Sequence, residues 1–149
     1  MNKFNFDRVR KNFDQVKQDL PTLLANQAQN FFAKSWNKQG WDDGNVKEWK
    51  EVQRRIIGTP AFKYPKNKDL PRRTRAILVK SGRLRRAVQN SIRSATWSRV
   101  QLTVDVPYAA YHNKGEGRLP KRKFMGNSQT LARLHRQKIT TTVNRIWKA

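Results

Sequence analysis

The chain has 149 residues, enough for one domain with a modest core, and it contains no cysteine, which excludes disulfides and thiolate metal sites. Apolar residues make up 36% and mean hydropathy is −0.93; no run approaches the roughly 20 apolar residues that crossing a bilayer takes, and none resembles a signal peptide, so a soluble protein is expected. Thirty-three Lys and Arg stand against 10 Asp and Glu, a net charge of +23, so the chain is expected to meet an anionic partner: nucleic acid, an acidic protein or a membrane surface.

Phe6, Val9, Phe13, Val16 and Leu20 recur at spacings of three and four, the mark of one helical stripe. Pro21 interrupts and suits the first turn of a second helix, where its missing N–H is not needed. That helix runs to about Lys38 with Leu24, Ala28, Phe31, Phe32 and Trp36 on a broad apolar face, giving a helical hairpin. Trp41-Asp42-Asp43-Gly44 reads as a turn, and Glu48, Trp49, Val52 and Ile56 as a short helix after it. Trp36, Trp41 and Trp49 are placed to stack on sugars or bases, or to clamp this loop onto the core; the clamp is the reading adopted.

Residues 58–76 are rich in proline and basic side chains and read as a surface loop, either solvated or ordered only against something acidic. Ser81 is placed as N-cap of a helix bearing Leu84, Ala87, Val88 and Ile92, with Arg83, Arg85 and Arg86 on its exposed side. The period then changes to two: Val100, Leu102, Val104 and Val106 alternate with Gln101, Thr103 and Asp105, which predicts a strand with one buried face. Ala95–Trp97 is its expected hairpin partner across a Ser98-Arg99 turn. One helical turn is predicted over Tyr108–Asn113, unusual backbone angles at Gly115 and Gly117, and an extended Leu119-Pro120. Asn127 or Ser128 caps a last helix with Leu131, Leu134, Ile139, Val143, Ile146 and Trp147 on its apolar side. The fold class is therefore α+β: an antiparallel sheet with an N-terminal helical hairpin, a central helix and a C-terminal helix. It is read as one domain, with a helical part over 1–57, the basic loop over 58–76 and an α+β core over 77–149.

The charge is uneven. Residues 1–62 carry a net +4, residues 63–99 a net +11 and residues 114–149 a net +9, so the anion-facing surface is expected in the second half of the chain. Arg72, Arg73, Arg75, Arg83, Arg85, Arg86, Lys121, Arg122 and Lys123 are the candidate phosphate contacts, which would bind with steep salt dependence and little sequence preference. Catalysis is not expected, and neither a cofactor nor a metal site is. His112-Asn113 matches a fragment of the His-Asn-His nuclease signature, yet the other histidine, His135, falls within a helical pattern. Gly115-Glu116-Gly117 lacks the Gly-Lys-Ser/Thr ending of a phosphate-binding loop, and seven of the ten acids lie scattered before residue 52.

Three motifs in order, however, resemble the phage virion-morphogenesis (tail-completion) family of Mu-like phages. They are Leu78-Val79-Lys80-Ser81-Gly82-Arg83-Leu84-Arg85, then Tyr108-Ala109-Ala110-Tyr111-His112-Asn113-Lys114-Gly115, then Pro120-Lys121-Arg122-Lys123-Phe124-Met125-Gly126. The helical start and the Gly-Trp loop within Phe32–Trp49 fit the same pattern. Asn113 stands where glutamine is common, and the basic Pro-rich loop is peculiar to this chain.

The resemblance implies an architectural virion subunit that forms a homo-oligomeric ring, with six copies expected, at the head–tail junction or the head-proximal end of the tail. It would be assembled in the bacterial cytoplasm beside connector, tail-tube or sheath proteins. DNA in the lumen, or the acidic faces of those neighbours, would meet the basic surface. The inter-subunit contact is expected at Val100, Leu102, Val104, Tyr108, His112, Arg122 and Phe124, and the anionic contact at Arg72, Arg73, Arg75, Arg83, Arg85, Arg86, Lys121 and Lys123. Outside this family, the alternative is a basic module that binds nucleic acid without sequence preference.

Overall fold

The computed structural model describes residues 5–64 and 74–147. Its first element is a single helix, α1 (Phe6–Lys38), which corrects the expected helical hairpin. Asn5 caps it by accepting the Arg8 N–H at 3.0 Å, and Asp7 lies in its first turn, where the helix dipole favours a negative charge. Pro21 sits buried inside it. An interior proline removes the bond to the carbonyl four residues back and costs about 3 kcal/mol. The helix continues because it is packed on both sides of Pro21, Val16 and Leu20 in one cluster before it and Ala28, Phe31, Phe32 and Trp36 in another after it, and that packing outweighs one missing bond. At 33 residues α1 is roughly 50 Å long and spans both cores of the molecule.

Gln39 ends α1 in the left-handed conformation, and the chain turns into β1 (Gly40–Asp43), Gly44 at φ +92°, and β2 (Asn45–Glu48). These strands pair antiparallel from Gly40–Glu48 to Asp43–Asn45. The turn falls where the Asp-Asp-Gly signal puts it, but the predicted helix after it does not form beyond a single 3-10 turn at Gln53–Arg55. Trp49 explains this. Its N–H donates to the Gln39 carbonyl at 2.8 Å and its indole N–H to the Lys123 carbonyl at 2.7 Å, which holds the backbone extended while the ring is buried.

Helix α2 (Pro60–Lys63) is one turn capped by Thr59; residues 65–73 of the basic loop, including Arg72 and Arg73, lie outside the described residues. Helix α3 (Arg83–Gln89) begins at Gly82, not Ser81, because Gly82 adopts φ +75° at the cap position. A second hairpin follows, β3 (Ile92–Thr96) with β4 (Arg99–Leu102), antiparallel with an irregularity between Ile92 and Ser94. The ladder stops at Leu102, short of the strand predicted to Val106; among the described residues Val104 and Val106 pair with no strand, and the Val106 carbonyl accepts from the Ala109 N–H at 2.9 Å at the start of the next helix. After α4 (Ala109–Lys114) an irregular segment leads to α5 (Gln129–Val143), capped by Ser128, and a 3-10 turn over Asn144–Trp147.

The molecule is thus α+β, and among the described residues it has two separate two-stranded antiparallel sheets in place of one larger sheet. The main core gathers Phe31, Phe32, Trp36, Trp41, Trp49 and Phe124 with aliphatic side chains from α3, α4 and α5. Trp36 meets Phe124 at 5.3 Å and Trp49 edge-on at 5.7 Å, while Trp41 stacks on Phe32 at 6.1 Å. The three tryptophans therefore clamp the first hairpin onto the core. A smaller cluster of Val16, Leu20 and Ile146 lets the chain's last turn lie against the first half of α1.

Candidate functional site

The segments Tyr108–Gly115 and Pro120–Gly126 are knitted into one unit by Asn113. Its Oδ1 accepts from the Phe124 N–H at 2.8 Å and the Met125 N–H at 3.1 Å, and its Nδ2 donates to the Met125 carbonyl at 2.9 Å. The Arg122 N–H adds a bond to the His112 carbonyl at 2.8 Å. Gly115, at φ +78°, lets the returning chain pass: a Cβ there would lie 2.7 Å from the Lys121 backbone. The 120–126 segment belongs to no helix or strand; a side-chain amide from α4 acts as its strand partner. The sequence marked Asn113 only as a departure from glutamine, and its role became visible once the two segments met.

Two residues expected at a subunit contact are interior here. Phe124 is 2% exposed, packed on Trp36, so it has no surface to offer a second copy. Arg122 is 7% exposed, and its Nε and Nη2 both donate to the Lys50 carbonyl, at 3.1 and 2.9 Å. The resemblance places both at a subunit contact, but aromatic and arginine side chains anchor interfaces and cores alike, and here both belong to the interior. Leu102 and Val104 are half-buried against the main core. Val100 and Tyr108 are exposed, reversing the buried side predicted for Val100: the hairpin tip extends beyond the core it was expected to cover. Beside it Trp97, 51% exposed, meets Phe13 of α1 edge-on at 6.3 Å.

The expected single basic face divides. Arg83 and Lys80 lie on one cleft, of about 290 Å³, between the 78–83 turn and α4, together with Arg54, Arg122, Tyr108 and His112. Lys121 and Lys123 lie on a second cleft with Trp41, Asp43 and Glu48, where carboxylates offset them. Lys123 is further committed within the chain: its Nζ sits 4.6 Å over the Trp41 ring and donates to the Asn127 carbonyl at 2.7 Å. Arg75 donates to the Lys80 carbonyl at 3.0 Å and Arg85 reaches Asn37 Oδ1 at 3.5 Å, so among the described residues Arg83, Arg86 and Lys121 are the exposed members of the set.

In the first cleft, burial pushes the His112 pKa below the ordinary imidazole value of 6.5, and the Arg122 guanidinium pushes it the same way, so the ring is neutral at pH 7. Its Nδ1 is buried without a hydrogen-bond partner, and Tyr108 stands edge-on to the ring at 6.0 Å. Burial likewise lowers the Arg122 pKa, with the field of Glu51 opposing it. His135 lies elsewhere, with Nδ1 2.8 Å from Gln27 Oε1, so the two histidines do not converge. Among the described residues no group of three or more His, Asp or Glu is placed to hold a metal ion. Nor is any helix long and apolar enough to cross a membrane. Compared with protein-family profiles, curated proteins and solved structures, the chain matches none.

Proposed function

We propose that this chain is a structural subunit of a phage virion. It assembles in the host cytoplasm into a homo-oligomeric ring, with six copies expected, at the head–tail junction or the head-proximal end of the tail, as a tail-completion, tail-terminator or neck protein. Its neighbours are connector, tail-tube or sheath proteins, with duplex DNA passing through the lumen. No chemical step is assigned to it.

The observation that carries this reading, beside the ordered motifs, is the hairpin β3–β4. Among the described residues this two-stranded sheet, which packs on α1, leaves an unpaired edge on each strand. It also exposes Val100 and Trp97 next to Phe13, an apolar surface beside an open edge. Strand addition from the next copy covers both at once, and a head-to-tail contact of that kind closes into a ring when the rotation closes. The motif residues support an architectural role as well, since Asn113, Gly115, Arg122 and Phe124 hold the fold together.

The test is Val100→Glu, chosen over Val104 because Val104 packs on the core and a charge there would unfold the chain. The variant is expected to keep its circular dichroism and lose ring formation in negative-stain images; intact rings would reject the interface. A second reading, a basic module binding nucleic acid without sequence preference, is favoured by the net +23 and by exposed Arg83, Arg86 and Lys121. It predicts duplex binding by a monomer or dimer, falling steeply with salt and unchanged by Val100→Glu.

A further inference from the structure

We propose that the cleft between the 78–83 turn and α4 is a receptor for a protein carboxylate: it takes an Asp or Glu side chain, flanked by aliphatic residues, from a neighbouring protein. The site does not require that the chain form rings.

Its lining is cationic and apolar with no acidic residue. Arg122 is the first reason to expect an anion. It is buried, and its Nε and Nη2 both donate to a neutral peptide carbonyl. Glu51, the carboxylate whose field reaches it, lies 3.5 Å from Arg55, and among the described residues no carboxylate pairs directly with Arg122, so a carboxylate arriving in the cleft adds the direct counter-charge that a buried guanidinium favours. His112 is the second. The ring lines the cleft, and as a neutral imidazole it carries one N–H that can be donated to an incoming oxygen. Lys80 and Arg83 are exposed on the same cleft and form no ion pair among the described residues. Leu78, on the same turn, is a non-glycine residue at φ +59°, a conformation that clusters at ligand clamps.

The remaining walls decide the class of anion. Val52, Leu78, Val79, Leu84 and the Tyr108 ring line the cleft beside the cations. A phosphodiester backbone brings hydrophilic sugars against such walls and leaves them without an apolar partner. An acidic side chain between aliphatic residues satisfies the cations and the walls together. The volume of about 290 Å³ suits a side chain with part of its flanks.

The full chain contains two histidines, so its imidazole NMR signals report the cleft through His112 with His135 as internal reference. The probe is the blocked peptide Ac-Ala-Leu-Glu-Leu-Ala-NH2, with its Glu-to-Gln analogue, inorganic phosphate and a short DNA duplex as comparisons, at pH 7. The Glu peptide should shift His112 and leave His135 in place, and the Gln peptide should bind at least about tenfold more weakly. Arg83→Glu should weaken the Glu peptide by about tenfold or more, while Arg136→Glu, on the exposed side of α5, should change it less than about twofold. The proposal is overturned if His112 is unmoved by the Glu peptide at millimolar concentration or if the Gln peptide binds equally. It is also overturned if phosphate or duplex DNA moves His112 at lower concentration than the peptide, or if Arg136→Glu weakens binding as much as Arg83→Glu. Ring formation is read separately through Val100→Glu, so either idea can fail alone.

Discussion

A single side chain amide takes the place of secondary structure at the centre of this protein. Asn113 satisfies two backbone N–H groups and one carbonyl in the 122–126 segment, which has no strand of its own to pair with. Removing the amide leaves those groups short of partners in a partly buried place, where each lost bond costs on the order of 1 kcal/mol and a stranded polar group more. Asn113→Ala is therefore expected to lower stability by about 2–3 kcal/mol, read as a fall in the urea midpoint with the m-value unchanged. Gln at this position adds a methylene and should recover only part of the loss, because the backbone groups it must reach are held in register by Gly115 packed against Lys121. A loss under about 0.5 kcal/mol would mean that the two segments are held by core packing alone.

Helix α5 and the first hairpin depend on each other. Ser128 Oγ accepts from the Leu131 N–H at 3.2 Å as N-cap and donates to the Asp42 carbonyl at 2.7 Å. Around it, Asp43 Oδ1 accepts from the Gln129 N–H at 2.7 Å, and Thr130 Oγ1 donates to Asp42 Oδ1 at 2.6 Å while accepting from the Gly44 N–H at 2.9 Å. Hydrogen bonds from Lys38 and Thr130 hold the Asp42 carboxyl below its ordinary range, so it remains ionised near neutrality. The acids of the Asp-Asp-Gly turn are thus placed at a helix start, where negative charge is favourable. Ser128→Ala should cost about 1–2 kcal/mol through the lost cap, in thermal or chemical denaturation. Asn127→Ala, whose side chain caps nothing, should stay within about 0.5 kcal/mol. Equal losses from the two would assign the cap wrongly.

On the scale of the molecule, charge and exposed apolar surface oppose each other. Every copy carries +23, so assembly must overcome like-charge repulsion, while duplex binding is driven by attraction to phosphate. Salt separates the two. The screening length falls from about 10 Å at 0.1 M to about 3 Å at 1 M. Self-association through Val100 and Trp97 should therefore strengthen as salt rises, and DNA binding should weaken. Sedimentation velocity across that range checks the sign; association that weakens with salt would point to a contact built from ion pairs and not from this apolar edge.

Local features of the chain were legible from its sequence. The first hairpin's turn, helix α3, the approximate position of the second hairpin, the α4 turn and the Ser128 cap all follow from interactions among near neighbours in the chain. What the sequence left undecided are the choices that long-range packing makes. Pro21 reads locally as a break, and packing of α1 into a separate core on each side of it explains why the helix passes through. Trp49 lies in a helical pattern, yet an indole bond to Lys123, 74 positions away, keeps it extended. Phe124 and Arg122 lie in a motif expected at a subunit contact, yet Trp36 of α1 and the Lys50 carbonyl hold them in the interior. Composition and spacing by themselves determined the charge, the α+β class and where turns and caps fall, because these depend on residue type and local backbone geometry. The tertiary structure alone decided which apolar and cationic side chains remain outside, because burial is set by distant segments that the chain brings together only on folding.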